Sequence, residues 1–456
     1  MKKYYLLFIS TFLLPVLLSA QSVDKVNSLL DRWNEDHEFM GEILILKNKE
    51  PLLHRHLGYK NMDKEMPHDE ESTFAIGEIT QTFTAALVLM AVDENKLQLE
   101  NTIETYFPKL PNSNRITIRH LLEHRSGLAD YTEYLPAYQN PSIATNMDKL
   151  INPMEVSELK FQPGQRHQLV NTNYLMLSYI LEKAYGMDFQ ALLEDKITGP
   201  KQLNNTFLTA VSTTKLRSKS SGHHLIGNDL SPQPATHPLF TAGSGGISST
   251  ASDLGRFSQA LFNEDLLPRQ SLEMMKPKAA NEDYGMGLSE STVAGKRAFG
   301  HEGSSNGFQS SFLYFPEEMV TMIVLMNRAS ANFEGMIEEL GISYFGAAPL
   351  PDVEEFPEAS PADLPTAAPA TTKPAAAAVI TGTYAFNPKL KITVFREGGE
   401  LKAQTANQPA TTLVKEGPYV YKIRGTEGKI RFVLEDDVVT HLLFEQTGFQ
   451  QKAVKE

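Results

Sequence analysis

A proline- and alanine-rich segment divides this chain and limits how it can fold. Between Ala347 and Ala378, 18 of 32 residues are Pro or Ala, and seven of these are prolines. Such a stretch has too few large apolar side chains to build a core, and its prolines favour an extended, semi-rigid conformation. The chain of 456 residues is therefore expected to fold as two separate parts, joined by a linker over residues 347–379.

The first twenty residues have the pattern of an export signal. Lys2 and Lys3 precede an apolar run over residues 6–18, and Leu18-Ser19-Ala20 supplies the small residues of a cleavage site. The run is too short for a spanning helix, and no other segment is apolar for long enough to cross a bilayer. We therefore expect a signal peptide over residues 1–20, export to the periplasm or the medium, and no membrane insertion.

The charge balance and the lack of cysteine exclude several kinds of function. The chain has 42 Lys plus Arg against 55 Asp plus Glu, which gives a net charge of -13, and it has no Cys. An acidic surface repels phosphate backbones, so nucleic acid is not an expected partner. Without Cys, the chain has no disulfide, no thiol nucleophile and no thiolate metal ligand. We expect neither a cofactor nor a metal.

The two parts of the chain differ in their patterns. Before the linker, candidate strands near residues 43–53 and 311–326 enclose long helical segments such as residues 78–96, which predicts a sheet assembled from both ends of one domain. After the linker, apolar and polar residues alternate in segments such as residues 391–395 and 429–433. This pattern predicts a small all-β domain over residues 380–456.

Five blocks of sequence then point to a family. They span residues 74–84, 116–128, 163–174, 242–254 and 300–308. In order and spacing they resemble the serine β-lactamase and D,D-peptidase superfamily, in its class C and esterase-like branch. The resemblance implies an α/β (α+β) sandwich over residues 21–346, with a mainly antiparallel sheet. A helical subdomain between Leu97 and roughly Leu239 would complete a substrate cleft.

The positions that carry the family's chemistry are altered in this chain. In relatives, a Ser and its activating Lys stand three residues apart at a helix start, a Tyr stands two residues before an Asn, and a Lys or His stands two residues before a Gly. The matching positions here are, in the same order, Glu78 and Gln81, Leu169 with Asn171, and His301 with Gly303. A carboxylate at the nucleophile position would form a labile anhydride, and neither Gln nor Leu relays a proton at neutral pH.

Three functions therefore remain open. The first is a catalytically inactive homologue whose cleft binds a small molecule, a cell-wall peptide, a glycan or a protein partner. The second is an active hydrolase, glycosidase or transglycosylase, with Glu78 as catalytic carboxylate and with Glu302 and His301 across the cleft. The third is residual serine-type esterase or peptidase activity through a displaced group.

Overall fold

The computed structural model of the chain divides into two compact units, Met1–Pro349 and Leu350–Glu456, and each is described by itself. The predicted signal peptide and the predicted linker lie outside the described residues. The structure describes residues 22–62, 64–134, 150–151, 155, 158–209, 219–226, 229–232, 241–278, 283–346, 380–387, 390–397, 400–405, 411–417, 419–423, 429–435, 438–446 and 449–455.

The N-terminal unit combines β-strands with helices. Its strands are β1 Gly41–Lys47, β2 Glu50–Leu57, β3 Tyr59–Asn61, β4 Met66–Pro67, β5 Phe74–Ala75, β6 Phe207–Leu208, β7 His223–Ile226, β8 Asp229–Pro232, β9 Ile247–Ser249, β10 Ser289–Val293, β11 Lys296–Ser305, β12 Phe308–Phe315 and β13 Val320–Met326. Its α-helices are α1 over residues 22–35, α2 Ile79–Asp93, α3 Ile118–Leu122, α4 Asn171–Tyr185, α5 Phe189–Leu193, α6 Ala242–Gly245, α7 Ala251–Phe262, α8 Arg269–Met275 and α9 Phe333–Phe345. No helix in these parts of the chain is both long and apolar enough to cross a bilayer.

Strands from both ends of this unit form one sheet. Its order is β10-β11-β12-β13-β1-β2, and every neighbouring pair is antiparallel. The early hairpin β1-β2 therefore completes a sheet begun by the late strands, because β1 pairs with β13 along its whole length. This arrangement confirms the mainly antiparallel sheet that the sequence predicts.

Strand β1 contains an apolar run over residues 43–46, because both faces of the sheet are covered there. Ile43 and Ile45 point into a core shared with Trp33 of α1 and with α9. Leu44 and Leu46 point the opposite way, into the larger core that contains α2, α4 and α7. Alternate residues of a strand face opposite sides, so one apolar run supplies both layers.

Helix α2 crosses the centre of the larger core and holds the site in place. It is buried on nearly every side, which is typical of a helix that is apolar all round. Its buried threonines are hydrogen-bonded: Thr82 Oγ1 donates to the carbonyl of Gly287 (2.7 Å) and Thr84 Oγ1 donates to that of Gly243 (2.7 Å). These bonds fix the rotation of α2, and with it the direction of the residues at its start.

The C-terminal unit is a closed antiparallel barrel. Its strands are β14 Gly382–Asn387, β15 Leu390–Glu397, β16 Glu400–Thr405, β17 Thr411–Gly417, β18 Val420–Ile423, β19 Lys429–Glu435, β20 Val438–Gln446 and β21 Phe449–Lys455. Each strand pairs with the next, and β14 closes the barrel against β21. Buried side chains such as Tyr384, Ile430, Phe432 and Leu442 form a separate core, so this unit is the all-β fold that the sequence predicts.

Candidate functional site

The candidate site lies where β5 runs into α2, against β11. Gly77 has φ of +50°, and a Cβ there would lie 2.5 Å from the backbone N of Ser304. A Cβ on Gly303 would lie 2.1 Å from the carbonyl O of Ile76. These two glycines let β11 approach the junction at backbone contact. Ser310 secures the approach because its hydroxyl donates to the carbonyl of Ile76 (2.8 Å).

Glu78 stands immediately before the first turn of α2 and its carboxylate turns toward β11. The backbone N–H of Ser304 donates to Glu78 Oε2 (2.9 Å), and the backbone N–H of Glu78 itself also interacts with the carboxylate. Desolvation raises the pKa of Glu78, and the nearby carboxylate of Asp130 raises it as well. The two N–H groups and the side chain of Asn171 act in the opposite direction.

Two backbone N–H groups that converge beside a helix N-terminus form the usual setting for stabilising a substrate oxyanion. In this chain the groups belong to Glu78 and Ser304, and both are engaged by the carboxylate of Glu78. The carboxylate of Glu78, at the position where the sequence blocks predict a nucleophile, therefore occupies the anion-binding N–H groups beside it. A substrate carbonyl could use them only after that carboxylate moves away.

Gln81 is fully buried and joins three partners. Its Nε2 donates to Oδ1 of Asn171 (3.3 Å). Its Oε1, which can only accept, lies 2.9 Å from Nε2 of His124 and 3.3 Å from the hydroxyl of Tyr284. A neutral amide thus lies where the sequence blocks predict a Lys, and both of its polar atoms are hydrogen-bonded.

The imidazole of His124 is held neutral in one tautomer. Because Gln81 Oε1 accepts, the ring must carry its hydrogen on Nε2. The Nδ1 atom then accepts from the backbone N–H of Val170 (3.3 Å) and from the side-chain amide of Asn173 (3.1 Å). Burial lowers the pKa of His124 well below its usual value, and the imidazoles of His167 and His301 lower it further.

His301 is also buried and neutral. Burial lowers the pKa of His301 to about 4, and its Nδ1 donates to the backbone carbonyl of Glu302 (2.6 Å). The remaining nitrogen, Nε2, lies 3.2 Å from the hydroxyl of Tyr284. His124 and His301 therefore each have partners on both ring nitrogens.

Leu169 stands at the family's Tyr position and does not close the cleft. It is 48% exposed, whereas the neighbouring Val170 is buried. Asn171 begins α4, and its backbone N–H donates to Oδ2 of Asp130 (2.7 Å). The apolar side chain thus lies at the surface beside the site, whereas Asn171 and Asp130 both interact with Glu78.

The structure does not bring Glu302 to Glu78. Glu302 is exposed on the face of β11 opposite to that of the buried His301, because neighbouring residues of a strand point to opposite sides. Partial desolvation, together with the carboxylate of Glu334, raises the pKa of Glu302 to about 7. The acidic group that interacts with Glu78 is Asp130, so a carboxylate pair in this cleft would be Glu78 with Asp130.

Four residues that the structure places in the site had no site role assigned from the sequence: Tyr284, Asp130, Ser304 and His124, the last of which was assigned to the scaffold. Ser304 and His124 have a recognisable signal, since the first follows the His-Glu-Gly block directly and the second lies within the block at residues 116–128. Asp130 follows that same block by two residues. Tyr284 stands apart from every block, so only the fold reveals its place between Gln81 and His301.

Comparison with known proteins identifies the family of this chain. The beta-lactamase family model matches residues 35–342, which spans the sheet, the helical layer and every cleft residue named above. The chain belongs to the beta-lactamase family. Membership confirms the family that the five sequence blocks indicate, and it explains why Glu78, Gln81 and His301 share one cleft.

The relatives in the beta-lactamase family include proteins of matching length. A penicillin-binding protein of Bacillus subtilis is 25% identical over 94% of this chain and 98% of its own. A D-aminopeptidase of Gluconobacter oxydans is 24% identical over 64% of this chain, which spans 56% of that protein. The octameric penicillin-binding protein homologue from Pyrococcus abyssi shares the fold, with a TM-score of 0.65 and 20% identity over 94% of this chain and 99% of its own.

Proposed function

We propose that this protein is an exported, catalytically inactive member of the beta-lactamase family that uses the cleft to bind a ligand. The observation that carries the proposal is the carboxylate of Glu78, which accepts the N–H of Ser304 at the position of the family's nucleophile. An acyl-transfer site needs a nucleophile, a base and a free pair of N–H donors. Here the nucleophile is replaced and the N–H donors serve the protein's own side chain.

The loss of a proton relay supports the same conclusion. Gln81 stands where a Lys would activate the nucleophile, and Leu169 stands where a Tyr would assist proton transfer. His301 keeps its place but is a weak base, because burial lowers its pKa to about 4. Tyr284 reaches the same region, but burial raises its pKa, so its phenol stays protonated at neutral pH.

The charge of the cleft favours one ligand class. Glu78 and Asp130 bring two carboxylates to the site, Gln81 replaces a cation, and His301 is neutral. The relatives are named as penicillin-binding proteins and D-aminopeptidases, which suggests cell-wall peptides as the ligand, ahead of glycans or a protein partner. Because like charges repel, we expect peptides that offer an amine or an amide to bind better than those with a free carboxylate.

A turnover panel tests the inactive state. Purified wild type and the Glu78→Ala variant would be assayed with aryl esters, β-lactams, D-alanyl peptides and aryl glycosides. We expect no turnover by either protein, because neither has a nucleophile with a base. Turnover by wild type that disappears in the variant would instead make Glu78 catalytic and would overturn the proposal.

A binding experiment tests the ligand class. Calorimetric titration of wild type with D-alanyl-D-alanine and with its C-terminal amide should show the amide to bind at least about tenfold more tightly, from the cost of placing like charges together. The Glu78→Gln variant keeps the shape of the side chain and removes its charge, so the difference in affinity between the acid and the amide should become smaller. Equal binding of acid and amide by wild type would contradict this ligand class.

The second candidate function is a hydrolase or glycosidase that uses Glu78. The observation in its favour is the raised pKa of Glu78 beside the carboxylate of Asp130, since paired carboxyl groups with separated pKa values supply an acid and a base. In the turnover panel this function would appear as glycoside or ester cleavage that both Glu78→Ala and Asp130→Asn abolish. Ester cleavage that survives both substitutions would point instead to a displaced serine.

Restoring the family's residues tests whether the scaffold is intact. The triple variant Glu78→Ser, Gln81→Lys, Leu169→Tyr should regain acylation by β-lactams or activated esters. It frees the N–H donors, and it restores the nucleophile, its activator and the proton relay. Covalent labelling detected by mass spectrometry would measure this, with Glu78→Ser alone as the matched control. A folded triple variant that forms no acyl-enzyme would show that the cleft has diverged beyond these three positions.

A further inference from the structure

One buried and two partly buried polar side chains face one another on the sheet, away from the cleft. Glu42 of β1 pairs directly with His56 of β2, and His54 lies two residues before His56 on the same face. The carboxylate oxygen and the imidazole nitrogens that these residues offer all lie within 4.8 Å of one another. We call Glu42, His54 and His56 the Glu-His-His cluster.

The cluster contains polar atoms that have no hydrogen-bond partner among the described residues. Glu42 is fully buried, yet its Oε1 has no hydrogen-bond partner among the described residues, and neither do the Nε2 atoms of His54 and His56. The second oxygen of Glu42 makes only long contacts, 3.4 Å to the backbone N of Ala251 and 3.5 Å to Nε2 of His54. Native proteins rarely leave a buried carboxylate in this condition, because an unpaired buried polar group is costly.

From these side chains we propose that the Glu-His-His cluster binds a divalent transition-metal ion of the Zn²⁺ class, with water as the remaining ligand. Two imidazoles and one carboxylate form a common donor set for Zn²⁺, which binds them at about 2.0–2.2 Å. Tetrahedral ligands at those distances stand roughly 3.4 Å apart, so small side-chain rotations would bring the three atoms into range. The ion would then supply a partner for polar atoms that the described residues leave without one.

The position of the cluster provides a route for the ion. β2 is the outermost strand of the sheet, and His54 and His56 are only partly buried, in contrast to Glu42. The carboxylate of Glu70 interacts electrostatically with His56, which favours the approach of a cation. The ion would thus enter from the sheet edge and meet the buried carboxylate last.

The site is distinct from the cleft. The cleft lies at β11, and β12 and β13 stand between that strand and β1 in the sheet. An ion held by the Glu-His-His cluster would tie the edge strand β2 to β1 and would neutralise Glu42 beneath the start of α7. Its role is therefore to stabilise the sheet rather than to take part in chemistry at Glu78.

Metal titration of the full chain tests the proposal. After treatment with a chelator and dialysis, wild type should bind one equivalent of Zn²⁺ and should show a higher melting temperature when Zn²⁺ is added. With Co²⁺ in its place, the visible absorption should have the intensity typical of four-coordinate cobalt. The His54→Gln and His56→Gln variants should bind Zn²⁺ roughly a hundredfold more weakly or worse, whereas His224→Gln, at an exposed imidazole outside the cluster, should bind as wild type does.

The controls distinguish loss of metal binding from loss of folding. Circular dichroism would establish that each variant is folded before its binding is compared. If a cluster variant fails to fold, the Co²⁺ spectrum and the Zn²⁺-dependent melting of wild type still decide the matter. The proposal would be overturned if wild type did not bind Zn²⁺ stoichiometrically, or if wild type and the folded cluster variants bound it equally. Water molecules and bound protons would then be the partners of the polar atoms in the Glu-His-His cluster.

Discussion

At the scale of single residues, Glu78 is expected to cost stability at neutral pH. Its folded-state pKa is raised, chiefly by desolvation, so the charged form is less favourable in the folded protein than in the unfolded chain. The contribution of Glu78 to stability is therefore highest at low pH and is lost as the pH rises through the folded-state pKa. The Glu78→Gln variant should melt about 2–4 °C higher than wild type at neutral pH, and this difference should shrink as the pH falls.

Thermal melts over a pH series would measure this effect. The matched control is Glu104→Gln, at an exposed carboxylate, which should change stability by no more than about 0.5 kcal/mol. A Glu78→Gln variant that is less stable than wild type at neutral pH would show that the N–H groups of Ser304 and Glu78 more than offset the desolvation of the carboxylate.

The same residue shows how far the sequence could predict the site. The blocks around Glu78, Gln81 and His301 identified these positions, because the surrounding residues keep the family's pattern even though Glu78 and Gln81 are not the side chains that the pattern predicts. The pattern could not show that the Glu78 carboxylate turns back onto the N–H of Ser304, since a side-chain direction depends on tertiary contacts. It also suggested Glu302 as the second carboxylate, whereas strand alternation places that residue on the opposite face.

At the scale of secondary-structure elements, the closest approach in the site is between β11 and the junction of β5 with α2. A Cβ on Gly303 would lie 2.1 Å from the carbonyl O of Ile76, so Gly303→Ala must push the strand away. We expect a loss of about 1–3 kcal/mol in the free energy of unfolding and weaker protection of the Ser304 amide. Denaturant titration and hydrogen exchange would measure the two effects.

Gly186 provides the control for this substitution. It follows α4 with φ of +70°, and a Cβ there would meet nothing within 4 Å. The Gly186→Ala variant should therefore lose stability only through backbone strain and should leave the Ser304 amide as it is in wild type. If both variants change the hydrogen exchange of the Ser304 amide equally, the close packing at Gly303 is not what holds the anion-binding N–H groups in place.

At the scale of the whole molecule, the sequence predicted the fold class of each unit, but not the closure of the barrel or the strand register. Strand patterns at both ends of the first unit were enough to predict a sheet joined across the chain, because apolar runs such as that of β1 need cover on both faces. Alternation after the linker predicted strands, yet closure of β14 against β21 depends on pairings between distant segments. The Glu-His-His cluster was not anticipated either, because Glu42 and His56 become neighbours only through the register of β1 and β2.

Because each unit has its own core, the two units should unfold in separate transitions. Phe432 packs within the core of the barrel, and Phe257 stacks on Phe83 (3.7 Å between ring centroids) within the first unit. Substitution of either buried ring by Ala should cost about 3–5 kcal/mol. Calorimetry should therefore show that Phe432→Ala lowers the midpoint temperature of one transition and that Phe257→Ala lowers the midpoint temperature of the other. A single transition shifted by both substitutions would mean that the whole chain unfolds as one cooperative unit.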